Sequence, residues 1–271
     1  MRIEGIKSTS PVVVGDSVFL EDGMIRDIEP RRNYIIRKST NLSKLSHIIA
    51  ANVDMAFLVI TFRLPETPVE FIDRFIVAAE AYRIPVCLVF NKMDLLSSQE
   101  LVQVKQFEDV YRTIGFQTIK TSATGQTGID ELRRLFTGKV SVIAGLSGVG
   151  KSSLINAVDP GLQVRIGEMS DYHQSGKHTT TFAEMYCLNG GGYIIDTPGI
   201  RGFGLINIEK EELYHFFPEI FKTSANCAFH NCRHLNEPGC AVMKAVETGK
   251  ISELRYRSYL SMMEDAQNKY R

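Results

Sequence analysis

Eight consecutive residues, Gly145-Leu146-Ser147-Gly148-Val149-Gly150-Lys151-Ser152, have the types and spacing of a phosphate-binding loop. Glycines let the backbone wrap closely around a phosphate chain, so that its N–H groups and the next helix N-terminus point at the oxygens. Lys151 is placed to reach the β- and γ-phosphates of a nucleoside triphosphate, and the Ser152 hydroxyl to ligate Mg²⁺. Such a loop needs a strand before it and a helix after it. Lys139–Ala144 reads as that strand, and Ser153 opens a stretch that reads as that helix. A chance glycine-rich turn would lack both flanks.

A second group has the chemistry to read a base. Asn91-Lys92-Met93-Asp94 follows the apolar run Val86–Phe90. Placed as in GTP-binding proteins, Asp94 accepts from the N1–H and exocyclic amine of guanine. Adenine offers no such pair and leaves a buried charge unpaired, at roughly 1–3 kcal/mol per lost bond. The Lys92 stem then covers the base, and Asn91 braces the site. Thr121-Ser122-Ala123 follows another strand, where the Ala123 N–H can meet the guanine O6. By itself Asn-Lys-x-Asp is a polar loop after a strand; beside the phosphate loop it specifies guanine.

Two further segments fit nucleotide sensing. Residues 165–181 form a polar, glycine-containing stretch suited to a mobile loop, and one of Thr179, Thr180 or Thr181 is expected to complete the Mg²⁺ shell. In Asp196-Thr197-Pro198-Gly199, Asp196 would contact Mg²⁺ through water and the Gly199 N–H the γ-phosphate. Where many GTPases carry a water-orienting glutamine, this chain has Ile200, a hydrocarbon that orients no water. Intrinsic turnover is expected to be slow and a partner to be needed; His178, beside the switch threonines, is the candidate catalytic substitute. Gly148 stands where potassium-activated GTPases usually carry asparagine, so no potassium dependence is expected.

Cys227-x4-Cys232-x-His234-x5-Cys240 supplies three thiolates and one imidazole, a closed tetrahedral set suited to structural Zn²⁺. Reduced thiols in a helical domain are the competing reading. Cys87 and Cys187 lie in apolar strands and are expected to be core residues, and His230 falls off the motif.

These residues need a scaffold. Val53–Ile60 and Val86–Phe90 are near-continuous apolar runs, as in parallel strands buried on both faces. Pro68–Arg83 has helical spacing in Phe71, Ile72, Phe75, Ile76 and Ala79. Further helices at about 98–113 and 129–137 alternate with strands at 117–120 and 139–144, which predicts a doubly wound α/β sheet. The first 37 residues alternate in short segments broken at Gly15-Asp16 and Asp22-Gly23, a small β unit. After about 207 the chain reads as helical around the Cys/His cluster. With 44% hydrophobic and 23% charged residues and no apolar run near the roughly 20 residues that span a bilayer, no membrane partner is expected. The N-terminus has no secretion-signal pattern and the five cysteines no disulfide framework, so a cytoplasmic monomer is expected. Net charge is zero, so nucleic-acid affinity has to come from local patches. Arg31, Arg32, Arg37, Lys38 and Lys44 form one such basic stretch, with a solvated linker as the alternative. Lys250, Arg255, Arg257, Lys269 and Arg271 alternate with Leu254, Leu260, Met262 and Met263, the pattern of an amphipathic helix docked on the domain.

The order of the motifs is unusual. Most GTPases place the phosphate loop first and the guanine motifs last; here residues 91–94 and 121–123 precede 145–152. With this order and the zinc spacing, the sequence resembles the ribosome small subunit-dependent GTPase A family of circularly permuted GTPases over nearly its whole length. The resemblance implies an OB-type β unit (1–40), a circularly permuted P-loop GTPase domain of α/β class (41–206) and a mostly helical zinc-binding domain (207–271). It also implies GTP and GDP as ligands, the small (30S) ribosomal subunit and its 16S rRNA as partners, and a GTPase stimulated by that subunit in late assembly. Met1–Arg37 is too short for a five-stranded barrel, so the opening strands are expected to be missing. Two other readings are a GTP-gated binding module with incidental hydrolysis and a zinc-delivering GTPase, the latter opposed by saturated thiolate ligation. Because Asp196–Gly199 runs directly into the C-terminal segment, nucleotide state is expected to reposition that segment.

Overall fold

The computed structural model describes residues 12–38, 46–164, 184–196 and 208–264. Strands β1 (Val18–Glu21) and β2 (Met24–Ile28) form an antiparallel hairpin closed by Asp22-Gly23. β3 (Tyr34–Lys38) pairs antiparallel with β4 (Ser46–Ala51), and Val14 bridges to Ala50. This second pair crosses the boundary expected at residue 40, because β4 continues the hydrogen-bonded ribbon that β3 begins. Arg31 is not a free cation: its guanidinium lies on Asp16 at 2.7 Å, with both side chains largely buried. Arg32 pairs with Asp54 at 2.8 Å. Both basic side chains of this stretch that the structure describes, Arg31 and Arg32, are thus paired internally.

The central sheet contains β5 (Met55–Ile60), β6 (Val86–Phe90), β7 (Gln117–Lys120), β8 (Val140–Ala144), β9 (Glu184–Cys187) and β10 (Tyr193–Asp196). Its order is β7-β6-β5-β8-β10-β9, parallel throughout except for the edge strand β9. Alternation sorts the side chains. Ala56, Leu58 and Ile60 face helices α1 (Val69–Ala81) and α2 (Ser98–Thr113), whereas Phe57 and Val59 face α3 (Ile129–Phe136) and α4 (Lys151–Val158). Helix α2 starts at a capping box in which Ser97 and Glu100 satisfy each other's backbone N–H groups. Succession along the chain runs outward from β5 to β7, then returns to β8 on the other side of β5. Loops at the carboxyl ends of β5 and β8 therefore flank the switch point, where open α/β sheets hold their ligands. Cys187 departs from expectation: β9 is an edge strand, and the thiol is exposed.

The C-terminal unit comprises a 3₁₀ segment (Lys210–Phe216), α5 (Pro218–Ser224), α6 (Ala241–Glu247) and α7 (Glu253–Glu264). Leu213, Phe217, Ile220, Tyr259, Met262 and Met263 pack with Val77 of α1, so this unit's core is completed by the GTPase sheet's own helix. In the last helix Met262 and Met263 are buried as the amphipathic reading expects, but Leu254 is exposed and Arg255 is not. Arg255 is 1% exposed. Its guanidinium donates to Asp73 of α1 at 2.6 Å and to Glu219 of α5 at 2.8 and 3.3 Å, and stacks 4.6 Å from the Phe217 ring centroid. Tyr111 of α2 donates to the same Asp73 oxygen at 3.0 Å. Burial works against the Arg255 charge, but Asp73 and Glu219 outweigh it and raise its pKa. Removing one partner from such a set strands the others without water. Arg255→Ala is expected to cost about 3–5 kcal/mol in urea unfolding; a loss of about 1 kcal/mol or less, as for an exposed pair, would contradict this account.

Candidate functional site

The loop after β8 has the shape its sequence demands. Gly145 has φ +144°, and a Cβ there would lie 2.6 Å from the Val59 carbonyl oxygen of the neighbouring strand. Gly150 has φ +96°, and a Cβ there would lie 2.5 Å from Asn91 Nδ2. This second close approach joins the two motif groups. Asn91 is 2% exposed; its Nδ2 donates to the Val149 carbonyl at 2.8 Å and its Oδ1 accepts from the Thr121 hydroxyl at 3.1 Å. The amide is engaged at both ends. Lys92 is in the left-handed region at φ 62°, and its ammonium donates to the carbonyls of Gly148, at 2.7 Å, and Leu64. Met93 packs against the α1–α2 core, and Ala123 against the opposite one.

Asp94 is exposed, with one oxygen accepting from the Ser122 hydroxyl and the other from Thr124 Oγ1 at 3.0 Å. The Ser122 hydroxyl, then that of Thr124, holds this carboxyl below the usual carboxylate range. The group is therefore an ionised double acceptor at neutral pH. The Lys151 ammonium lies on the Gly145 and Leu146 carbonyls at 2.9 and 2.8 Å. Ser152 is buried at the start of α4, followed by Ser153, while Ser147 occupies the turn of the loop. Asp196 ends β10 in register with Ile143, at the edge of the phosphate loop. His178, Thr179, Thr180, Thr181, Thr197, Pro198, Gly199 and Ile200 lie outside the described residues.

Two contributors escape a motif search. Thr124 holds Asp94 from beyond the Thr121-Ser122-Ala123 set; its hydroxyl adjacent to that set was the available signal. The loop after β5 presents the Leu64 carbonyl to Lys92 and is cross-tied by the Thr61 N–H to Thr67 Oγ1 at 3.1 Å and the Thr67 N–H to the Thr61 carbonyl at 2.8 Å. Nothing in its composition marks it.

The cysteine cluster also assembles. Cys227, Cys232, His234 and Cys240 place their ligand atoms within 4.8 Å of one another. His234 Nδ1 lies 3.6 Å from Cys227 Sγ and 3.5 Å from Cys240 Sγ. A tetrahedron with metal–sulfur bonds near 2.3 Å and a metal–nitrogen bond near 2.0 Å has S···N edges of about 3.6 Å, so the residues fit a metal ion. Burial pushes the Cys232 thiol up to about 12 and lowers the His234 pKa, so the imidazole is a neutral donor. Glu237 accepts from the backbone N–H groups of Arg233, Leu235 and Asn236, and Tyr256 and Tyr259 of α7 donate to the His234 and Arg233 carbonyls at 2.6 and 2.7 Å. His230 is exposed and outside the cluster, and Cys87 is a core thiol pushed up to about 12 by burial.

A phosphate-type loop following, rather than preceding, an Asn-Lys-x-Asp loop on this sheet defines the class of circularly permuted GTPases. Within that class the chain belongs to the RsgA GTPase family, whose model matches residues 28–206. It is thus a GTPase. The small ribosomal subunit biogenesis GTPase RsgA 2 of Bacteroides thetaiotaomicron is 54% identical, over 100% of this chain and 89% of that relative. A small ribosomal subunit biogenesis GTPase RsgA from Porphyromonas gingivalis is 50% identical, over 98% of this chain and 87% of that relative. Among solved structures, YjeQ from Thermotoga maritima superposes with a TM-score of 0.79 at 38% identity, covering 95% of this chain and 86% of that one. YloQ, described as a circularly permuted GTPase, has a TM-score of 0.76 at 33% identity, covering 98% and 85%.

Elemental analysis of protein purified without chelator is expected to return one equivalent of divalent metal. The Cys227→Ser/His234→Ala double variant should return close to none. Metal-free wild-type protein that is still folded would refute the assignment.

Proposed function

We propose that this GTPase holds guanine nucleotide in the cleft at the carboxyl ends of β5, β6, β7 and β8, and acts in assembly of the small ribosomal subunit. The observation that carries the reading is the Asn91 bridge, which fixes a two-acceptor carboxylate loop against a glycine-rich loop. In this reading Asp94 accepts from the guanine N1–H and amine, with Ser122 and Thr124 fixing its oxygens and the Ala123 N–H meeting the guanine O6. The Gly145–Gly150 backbone and the N-terminus of α4 cradle the phosphates. Lys151 exchanges its carbonyl partners for β- and γ-phosphate oxygens, so the cation is already at hand. Mg²⁺, held by Ser152, Asp196 and a switch threonine, would supply charge neutralisation on the phosphates when bound with GTP. Water displaces GDP from the γ-phosphorus, breaking the bond between that phosphorus and the bridging oxygen and releasing phosphate. With Ile200 at the position after the switch glycine, His178 or the partner orients that water.

The metal in the cysteine cluster is proposed to be Zn²⁺, whose closed set of four protein ligands stabilises a small unit and leaves no open position for catalysis. The N-terminal strands are proposed to be an OB-type unit, and the chain a cytoplasmic monomer whose partner is the small subunit through its 16S rRNA. The small ribosomal subunit biogenesis GTPases among the relatives support the small subunit as that partner.

Three measurements test this. GTP turnover is expected to rise steeply, by the roughly 10³–10⁵-fold typical of completed GTPase sites, with purified small but not large subunits; equal slow rates would favour a GTP-gated binding module. Asp94→Ala should weaken GDP by at least about 10²-fold while leaving ADP as weak as before, since two guanine donors lose their acceptor. Lys151→Ala should abolish turnover without altering metal content; unchanged turnover would sink the phosphate assignment.

A further inference from the structure

A cleft of about 570 Å³ lies away from the nucleotide site, where the C-terminal end of α2 meets α5 and α6. Lys222, Lys244 and Lys250 line it, all exposed, and none has a carboxylate partner among the described residues. Its wall holds one acidic side chain, Glu219, whose two oxygens both accept from the Arg255 guanidinium at 2.8 and 3.3 Å. Among the lining residues three lysines thus face one acid, and that acid is turned onto the buried arginine. Asn226 adds a side-chain amide to the same wall. In a chain of zero net charge, this is a local concentration of cations that pair with no carboxylate among the described residues.

We propose that this cleft is a second anion site that takes a phosphate-bearing ligand through Lys222, Lys244 and Lys250. Three ammonium groups on flexible stems are point charges suited to phosphate oxygens. The wall offers no guanidinium fork or aromatic plane to read a base, so recognition is of phosphate and independent of sequence. The ligand contacts elements of both the GTPase sheet and the metal-binding unit, and so spans their junction. Two sources carry this chemistry, an RNA backbone and a free polyphosphate anion. The proposal goes beyond the function above and does not require it.

The test uses zinc-replete full-length chain saturated with GDP, which blocks the phosphate loop. The Lys222→Ala/Lys244→Ala/Lys250→Ala variant is compared with wild type and with a charge-matched control at Lys105, Arg134 and Lys139. Binding of a short fluorescein-labelled RNA duplex is followed against salt, and binding of sodium tripolyphosphate by calorimetry. If RNA is the source, the cleft variant loses affinity and its slope of log K against log salt shrinks by about 2–3, at roughly 0.7–0.9 per phosphate contact. If a free anion is the source, wild type binds tripolyphosphate at one site that the cleft variant lacks. Wild-type behaviour of the cleft variant in both assays overturns the proposal, and so does an equal loss in the control. GDP affinity and metal content, unchanged in the variants, exclude misfolding. A failure of the ribosomal reading would appear separately, as wild-type turnover indifferent to small subunits.

Discussion

Much of this molecule depends on one carboxamide. Asn91 lies at the end of β6 with its Nδ2 on the Val149 carbonyl and its Oδ1 on the Thr121 hydroxyl, so the loops after β6, β7 and β8 meet at one buried point. Its position leaves no room for a side chain at residue 150, which is glycine with a left-handed backbone. Each loop alone is polar and short. Together they hold one another in a single arrangement, because a buried amide with either end unpaired would be costly. Lys92 adds a second tie by drawing the Leu64 and Gly148 carbonyls to one ammonium. The loop after β5 is thereby joined to the same frame, and that loop leads into α1.

Helix α1 carries the frame outward. Its Asp73 and Glu70 meet Arg255 and Ser261 of α7, and α7 turns another face, with Tyr256 and Tyr259, to the carbonyls of the metal-binding loop. One helix thus touches both the GTPase sheet and the cysteine cluster. The segment after Asp196 is therefore not the only route by which the two ends of the molecule are connected. A buried ion set of this kind adds little net stability over a well-packed apolar one, but it tolerates few alternative dockings.

What the sequence disclosed follows from how local each signal is. The run Val86–Phe90, the helix 98–113 and the strand before Gly145 are written in neighbouring residues, and each was legible. The three cysteines and one histidine of the cluster span only 227–240, and their spacing is legible for the same reason. Signals that depend on the fold were not. Thr124, the Thr61–Thr67 ties and the Leu64 carbonyl act through proximity that no spacing encodes. The pattern offers Arg31 to phosphate, but Asp16 holds it from across the β unit, and it offers Cys187 to the core, but β9 is an edge strand. Charge and hydrophobicity say whether a residue can be buried, not which partner arrives to bury it.

The Asp73–Arg255 contact joins residues 182 positions apart. During synthesis at roughly 5–20 residues per second, about 10–40 seconds separate the emergence of the two. All strands of the central sheet have been made by then, yet the Asp73 carboxylate on α1 still lacks the guanidinium that meets it in the folded chain. A chain cut before α7 leaves Asp73 without its guanidinium partner. Docking of α7 supplies that charge, so the earlier-made sheet and the later-made helix are locked together only once both exist.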